Sequence, residues 1–157
     1  MKKQIIADIL PVKERSTSPW LDLEALADVE ITSENSDYPI EAALLPDRGQ
    51  GWRADKPGTQ TLRLLFKQAQ NIQRVQLDFL ESIGTRTQEY VLRWSADNGR
   101  TWREIVRQQW NFSPDGSTRE TEEYTLSLTG VAVLELTITP DISHQGAFAS
   151  LERLRIA

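Results

Sequence analysis

The chain has 157 residues, a formal net charge of -5 and no cysteine. The lack of cysteine excludes disulfides, thiolate metal sites and a cysteine nucleophile, and the acidic balance with dispersed Lys and Arg argues against a nucleic-acid-binding protein. No apolar stretch approaches the roughly 18 residues that a membrane-spanning helix needs.

The N-terminal stretch "MKKQIIADILPVKERS" is predicted to be part of a leading arm over residues 1–17. Its short apolar run is interrupted by Asp8 and followed by Pro11 and a charged segment, so it does not qualify as a signal peptide. We therefore expect a cytoplasmic protein. No repeat or linker-like composition marks a boundary, so residues 1–157 are predicted to form one domain.

After the arm, the pattern changes from a helical one to an alternating one. "SPWLDLEALA" predicts one short N-terminal helix, with Ser18 as the N-cap and Pro19 at the first helical position. Further along, apolar residues recur at every second position between clusters of Gly, Pro, Asn and Asp, which is typical of half-buried antiparallel strands. The predicted strands are 61–66, 75–79, 89–94, 124–128, 131–139 and 150–156. Many short strands with few helices predict an all-β fold, an antiparallel β-sandwich or jelly roll.

The octapeptide "SADNGRTW", from Ser95 to Trp102, has the Asp-box spacing that is associated with sialidases. It lies between two strand patterns, and Asp97-Asn98-Gly99 provides residues that tolerate positive φ in a tight hairpin. Ser95 and Asp97 can hydrogen-bond turn amides while Trp102 packs below the turn. Nothing in the octapeptide supplies an acid, a nucleophile or a pocket, so we predict a structural hairpin.

No other catalytic pattern emerges. The sequence contains no Gly-rich phosphate loop, His-rich metal motif or Ser/His/Asp signature. The acidic run with Glu120, Glu122 and Glu123 comes closest to a pair of catalytic carboxylates. Strand alternation would put Glu120 and Glu122 together on an exposed face, whereas glycoside hydrolysis needs a cleft and one acid of raised pKa. The sequence therefore predicts that the protein is not an enzyme.

Four stretches in a fixed order carry a family resemblance. "ALADVEITSENSDYPIEAALLPDRGQGWRAD" (25–55) contains a strand that ends in a serine-rich turn, then "YP" and "GW". It is followed by "LRLLFKQAQNIQRVQLDF", by "YVLRWSADNGRTW" and by the closing "GAFASLERLRI". Over about residues 22–157 this order resembles the coagulation factor 5/8 type C (discoidin) family and is similar to family 32 carbohydrate-binding modules. The resemblance implies a galactose-binding-like jelly roll of about eight strands, with "LRLLFKQAQNIQRVQLDF" as paired strands.

Members of this family are mostly non-catalytic binding modules that use loops at one end of the sandwich. The resemblance implies that four loops gather there: 33–40, 47–57, 80–88 and 141–149. A sugar site combines an aromatic ring, which stacks on the apolar face of a pyranose, with a few polar groups that bond its hydroxyls. The candidate ligand-binding residues in these loops are Tyr38, Trp52, Arg53, Arg86, His144 and Phe148.

Three of these candidates have a structural alternative. Phe148 matches the position of the stacking aromatic in galactose-binding members, but a core position would suit it equally. Trp52 stands where the family has a structural Trp, so packing in the core or at the rim is open for it. His144, the only histidine, can be a ligand contact or a solvated loop residue.

The sequence departs from the galactose-binding pattern after the strand at 75–79. Glu-Ser at 81–82 and Gly-Thr at 84–85 stand where those members have an Arg and an Asn-Gly. Only Arg86 could replace the missing guanidinium, from a different position. A galactose site of the usual kind is therefore not expected.

Many family members also bind a structural calcium ion through an Asp-Gly pair before the "GW" and a Glu in the last strand. Leu45-Pro46 replaces that pair here, which leaves Asp47 and Glu152 as the matching carboxylates. Calcium takes roughly six to eight oxygen ligands. We therefore expect no cofactor and no bound metal.

The sequence as a whole predicts a soluble, non-catalytic binding module. Carbohydrate or glycoconjugate is the first ligand class, and a protein partner in the cytoplasm is the second. A lipid headgroup ranks third, because that binding mode of the family uses exposed apolar spikes and the loops here are polar except for Ile83, Trp52 and Phe148. Neither nucleic acid nor a membrane span is expected, and the sequence leaves the oligomeric state open.

Overall fold

The computed structural model describes residues 19–157, so the predicted arm at 1–17 and the predicted N-cap at Ser18 lie outside the described residues. Within them the polypeptide forms two one-turn helices and eight strands. In chain order they are α1 (Leu23–Leu26), β1 (Ala27–Ile31), α2 (Glu41–Leu44), β2 (Trp52–Pro57), β3 (Gln60–Leu80), β4 (Arg86–Ser95), β5 (Arg103–Phe112), β6 (Arg119–Thr139), β7 (Phe148–Leu151) and β8 (Arg153–Ile156). The predicted antiparallel β-sandwich is confirmed.

Helix α1 is shorter and begins later than the sequence pattern suggests. Asp22, rather than Ser18, is the N-cap of α1, and Pro19 precedes the helix. The second helix, α2, was not predicted, because a single turn is too short to show a helical period. Neither helix within residues 19–157 is long and apolar enough to cross a membrane.

Strand β3 unites two segments that the sequence pattern separates. Residues 61–66 and 75–79 belong to this one strand, and both segments pair with β6. The expectation that they pair with each other is therefore wrong. The register shifts between Leu65 and Arg74, and irregularities of this kind bend a strand and increase its twist.

Strand β6 likewise unites two predicted segments, 124–128 and 131–139. The first half of β3 and the second half of β6 form one sheet with β1, β4 and β5, while β8 pairs with the other half of β3. Strands β2 and β7 form a separate two-stranded sheet. A bent β3–β6 ribbon thus contributes to both layers.

The core lies between these layers. Phe79, in the second half of β3, stacks on Tyr90 of β4 with ring centroids 5.2 Å apart. Tyr90 also shares a hydrogen bond with Tyr124 of β6, with 2.5 Å between the hydroxyl oxygens. The largest fully buried side chains are Trp52, Tyr90, Phe79, Phe112, Leu64, Ile72, Leu77, Leu92, Leu134, Leu136, Ile138 and Leu151.

The turn between β4 and β5 is the structural hairpin that the octapeptide predicts. Ser95 Oγ accepts hydrogen bonds from the N–H groups of Asp97 and Gly99, at 3.2 and 2.8 Å. Asp97 accepts bonds from the hydroxyl and the N–H of Thr101, at 2.6 and 2.8 Å. Asn98 and Gly99 have φ of 60° and 90°, which these residue types adopt most easily. The side chains of this turn are engaged with its own backbone.

Candidate ligand-binding cleft

A cleft of about 770 Å³ opens beside the sheet of β2 and β7. Its lining residues come from the four predicted loops, from β7 and from the residue between β7 and β8. Backbone hydrogen bonds hold the loops together: Asn35 N–H donates to Arg53 O at 2.8 Å, and Ile142 N–H donates to Thr87 O at 2.9 Å. Pairing of β2 with β7 brings the second loop beside the fourth.

Phe148 presents its ring to this cleft. It is the first residue of β7, where Ala149 and Leu151 are buried while Phe148 and Ser150 face outward. The alternation of a strand therefore places the ring on the open side, and it is 51% exposed. An aromatic ring with this exposure can stack on a flat apolar surface.

Trp52 borders the cleft, but its ring is enclosed by the core. The side chain is only 2% exposed, and its Nε1–H donates to the carbonyl of Ser33 at 3.0 Å. A ring so enclosed offers almost no surface to a ligand. The structure thus places Trp52 in the core, the alternative that its sequence position left open.

Arg53 and Tyr38 form a pair at the rim. Tyr38 does not line the cleft, but the Arg53 guanidinium lies over its ring, 4.1 Å from the centroid. Such a cation–π contact restricts the guanidinium while leaving its N–H groups available. Tyr38 therefore supports Arg53 from behind.

Arg86 is buried and already bonded. Its Nε donates to Glu81 Oε1 at 2.8 Å, and its Nη1 donates to Gln88 Oε1 and the Pro140 carbonyl, at 3.1 and 2.8 Å. Burial acts to raise the pKa of Glu81, but the bond from Arg86 and the loop amides outweigh it, and the pKa is lowered. Arg86 holds the loop around Glu81 in place.

His144 is exposed at the cleft edge. Its Nδ1 accepts a hydrogen bond from Gly146 N–H at 3.1 Å. A neutral ring with this contact carries its proton on Nε2, so Nε2 can donate to a ligand oxygen.

Several lining residues were not singled out in the sequence. Among those not named as ligand candidates are the polar Asn35, Gln50, Asp55, Ser82, Asp141 and Ser150, and the apolar Leu80. Apart from Ser150, all of them fall inside the predicted loops, so loop membership was the available signal. Their residue types are common in any solvated loop, so composition could not distinguish them.

The implied calcium site does not fit the donor set. Glu152 lies beside Gly51, with one carboxylate oxygen 3.1 Å from where a Cβ on that glycine would be. Among residues 19–157, however, no three Asp, Glu or His side chains gather around a point that could hold an ion. Asp47 and Glu152 alone fall short of the roughly six to eight oxygens that calcium takes.

Of the two carboxyl groups of β6, Glu120 lies inside the sandwich and Glu122 is half-buried, and neither lines the cleft. Glu120 is 1% exposed, so the prediction that it shares an exposed face with Glu122 is wrong. Strand alternation does place the two on one side, but that side faces β4, where Gln88 Nε2 donates to Glu120 Oε1 at 3.3 Å. Within the described residues the other oxygen of Glu120 has no hydrogen-bond partner. Burial, and then the charge of Glu122, raises the pKa of Glu120 to about 7.

The family model of the F5/8 type C domain matches residues 28–152. No curated protein matches the chain in sequence.

Three solved structures show the same fold at low sequence identity. A family 32 carbohydrate-binding module from Clostridium perfringens, in complex with GalNAc-β-1,3-galactose, is 19% identical with a TM-score of 0.61, over 88% of this chain and 99% of that one. The family 32 module of AlyQ, in complex with 4,5-unsaturated mannuronic acid, is 15% identical with a TM-score of 0.62, over 89% and 98%. A GH29 fucosidase from Ruminococcus gnavus is 11% identical with a TM-score of 0.63, over 92% of this chain but only 27% of its own. The chain has the galactose-binding-like β-sandwich of these modules.

Proposed function

Because the chain belongs to the F5/8 type C domain family, we propose that it is a non-catalytic module that binds carbohydrate in the cleft beside β2 and β7. The half-exposed ring of Phe148 carries this proposal, since the apolar face of a pyranose stacks on such a ring. Polar side chains that can bond hydroxyls also line the cleft: Asn35, Arg53, Asp55, Asp141, His144 and Ser150. Sugar complexes of two similar structures support the same ligand class.

The charge of the cleft favours a neutral sugar. Its lining holds four carboxylates and two guanidinium groups: Asp55, Glu81, Asp141, Glu152, Arg53 and Arg86. Arg86 and Glu81 form an ion pair and so compensate each other. The remaining charged groups of the lining are the guanidinium of Arg53 and three carboxylates, so the net charge is negative. A uronic or sialic acid would bring its own carboxylate to a surface of the same sign, which weakens binding. A neutral hexose or an N-acetylhexosamine is therefore the preferred ligand class.

The absence of catalysis is supported by the pKa pattern. A glycosidase needs a general acid of raised pKa in its cleft. Glu120, whose pKa is raised to about 7, is not among the lining residues, and Glu81, which is one of them, has a lowered pKa.

A protein partner is the second candidate. Leu80, Ile83 and Phe148 are exposed apolar side chains on the rim of the same cleft, and exposed apolar groups of this kind also mark protein contacts. The cytoplasmic location, in which such a partner was expected, stays a prediction.

A glycan array probed with the full chain tests the carbohydrate proposal. Neutral glycans should bind more tightly than matched glycans that end in a uronic or sialic acid. Phe148→Ala should lower the affinity for the best neutral sugar by roughly 2- to 12-fold, the equivalent of a stacking contact. Titration calorimetry measures this change, and product analysis of the same samples should show no hydrolysis.

Ile142→Ala is the matched control. Ile142 is a 47% exposed residue of the same loop that does not line the cleft, so its loss should leave sugar affinity unchanged. Equal affinity of wild type and Phe148→Ala would contradict the proposal, as would an array without any binding.

A further inference from the structure

A second depression lies beside β1 and shares no lining residue with the cleft. This groove, as we call it, has a volume of about 460 Å³. Its apolar lining residues are Leu23, Ala27, Val29, Ile31, Ile40, Leu44, Leu45 and Leu64. Val29, in the middle of β1, is 37% exposed, although its register partner Leu64 is buried. An apolar surface therefore stays open along this strand.

Strand β1 also has an open edge. Among residues 19–157, β1 pairs with β3 alone. Thr32 N–H, just after the strand, donates to Thr61 O of β3 at 3.1 Å. Because the backbone groups of successive residues point to opposite edges of an antiparallel strand, those of Val29 and Ile31 point away from β3. The N–H of Ala27, two residues before Val29, also points away from β3, since it donates to Leu23 O.

A strand that pairs with this edge would cover the groove. Side chains of neighbouring strands at the same register lie on the same face of a sheet. Every second residue of an added strand would therefore lie over the groove beside Val29, where an apolar side chain is favoured. The intervening residues would lie beside Asp28 and Glu30 on the other face.

The charges of this region select a basic strand. Four acidic residues line the groove, Glu24, Asp28, Glu34 and Glu41, together with the single cation Arg48. Arg48 pairs with Glu24 at 3.3 Å, and within residues 19–157 neither Asp28 nor Glu41 has an ion-pair partner. Lys or Arg at the intervening positions of an added strand would lie beside Asp28 and beside Glu30, which also pairs with Arg63 at 3.8 Å. The carboxylates that line the groove attract a basic peptide at longer range.

The same charges oppose a second copy of this chain as the occupant. Pairing β1 with another β1 would bring Asp28 and Glu30 of both chains together, and acidic residues on an edge strand prevent such self-association.

We infer that the open edge of β1 and its acidic groove bind an extended peptide of another protein, in which apolar residues alternate with Lys or Arg. The peptide adds an antiparallel or parallel strand through the backbone groups of Val29 and Ile31, and its apolar side chains fill the groove. This site is independent of the carbohydrate proposal, because no residue of the cleft takes part in it.

The test uses the full chain and a fluorescein-labelled peptide of alternating Ile and Lys, compared with one of alternating Ile and Glu. Fluorescence anisotropy should show binding of the Lys peptide at least about tenfold tighter than that of the Glu peptide, with weaker binding at higher salt. Backbone amide NMR shifts should change at Val29 and Ile31 and stay unchanged at Phe148.

Two variants test separately the open backbone edge of β1 and the carboxylates of the groove. Val29→Pro removes an N–H at the open edge and should weaken the Lys peptide at least about tenfold. Asp28→Lys/Glu41→Lys reverses two exposed charges without touching the core, and should reverse the preference toward the Glu peptide. Asp115→Lys/Glu123→Lys changes the net charge equally outside the groove and should keep the wild-type preference.

Three results would overturn the inference. The first is equal binding of both peptides, or none. The second is Lys-peptide binding that both groove variants retain, since it would then depend on net charge alone. The third is binding that occurs only after residues 1–17 are removed, or a concentration-dependent dimer lost in Val29→Pro, because these would assign the groove to the chain's own arm or to a second copy.

Discussion

The hairpin at 95–102 and the cleft are both rich in polar residues, but they use them in opposite ways. In the hairpin, Ser95 and Asp97 bond the N–H groups of the turn and the hydroxyl of Thr101. Hydrogen bonds from Thr101 come first among the causes that hold the pKa of Asp97 well below its usual range. In the cleft, Arg53 and His144 keep N–H groups on the open side while their other contacts position them.

The difference shows what a motif can and cannot indicate. A side chain that satisfies its own turn has no bonding capacity left for a substrate, however strongly its spacing resembles a catalytic box. A side chain that is positioned by a neighbour but left partly unsatisfied can bind one. The following predictions test this contrast.

Trp52→Ala should have the largest effect, a loss of about 3–5 kcal/mol in the free energy of unfolding, as for other buried aromatic residues. Trp52 adjoins the cleft but is enclosed by the core, so the cost should appear without any ligand. Thermal and urea unfolding followed by circular dichroism measure it. Phe148→Ala is the control and should change the Tm little, since about half of its surface is exposed. A normal Tm for Trp52→Ala with lost sugar binding would make Trp52 a ligand surface.

The free energy of unfolding should depend on pH through Glu120, which is linked to the cleft and not to the hairpin at 95–102. The pKa of Glu120 is raised from 4.5 to about 7, so the neutral acid favours the folded state. This stabilisation is complete below about pH 4.5 and is lost as the pH rises through about 7, a change on the order of 3 kcal/mol. Hydrogen bonds through Gln88 and Arg86 connect Glu120 to the cleft loop around Glu81, whereas no hydrogen bond among residues 19–157 connects Glu120 to Asp97.

Urea unfolding between about pH 5 and about pH 8 measures this effect. Glu120→Gln should remove the dependence and be more stable than wild type at the upper end. Glu123→Gln, an exposed position on the same strand, should retain the wild-type profile. A flat profile for the wild type would show that Glu120 is not the titrating group.

Asp97→Ala should lower the Tm by a few degrees, because the turn loses the acceptor for both bonds from Thr101. Sugar affinity should not change, since the hairpin does not line the cleft. Asp115→Ala, in another exposed turn, is the matched control for stability. Lost sugar binding at an unchanged Tm would mean that the hairpin is functional after all.

His144→Ala should have the smallest effect, a loss of affinity of about threefold from one hydrogen bond. The Tm should stay the same, because His144 is an exposed loop residue. Titration calorimetry of His144→Ala and of Phe148→Ala with the same sugar measures the two losses of affinity. A larger loss for His144→Ala than for Phe148→Ala would mean that hydrogen bonding, rather than stacking, dominates the cleft.

The sequence by itself determined the local features of this protein. Alternation located most of the strands, since successive side chains of a strand point to opposite faces whatever lies around them. It did not locate β1 or β2, and the predicted strand at 150–156 is in fact the two strands β7 and β8. The hairpin was equally predictable, because Asn98 and Gly99 tolerate the positive φ that the turn requires. The four loops of the cleft followed from the family resemblance, and all four line it.

Only the tertiary structure decided which face of each strand is inside. Alternation puts Glu120 and Glu122 on one side of β6 but does not say that this side meets β4, and so the burial of Glu120 could not be foreseen. The union of 61–66 with 75–79 was hidden for a related reason, because the polar residues between them look like a turn while they are in fact the bend of a strand.

The composition of the cleft and the groove was likewise decided in three dimensions. The carboxylates of the cleft come from segments as distant as Asp55 and Asp141, and those of the groove from Glu24 to Glu41. Their charges act together only because strand pairing brings the segments within reach, and electrostatic interaction depends on distance in space rather than along the chain. Trp52 and Phe148 differ for the same reason: both are aromatic residues near predicted loops, but packing against the sandwich encloses the first and leaves the second half exposed.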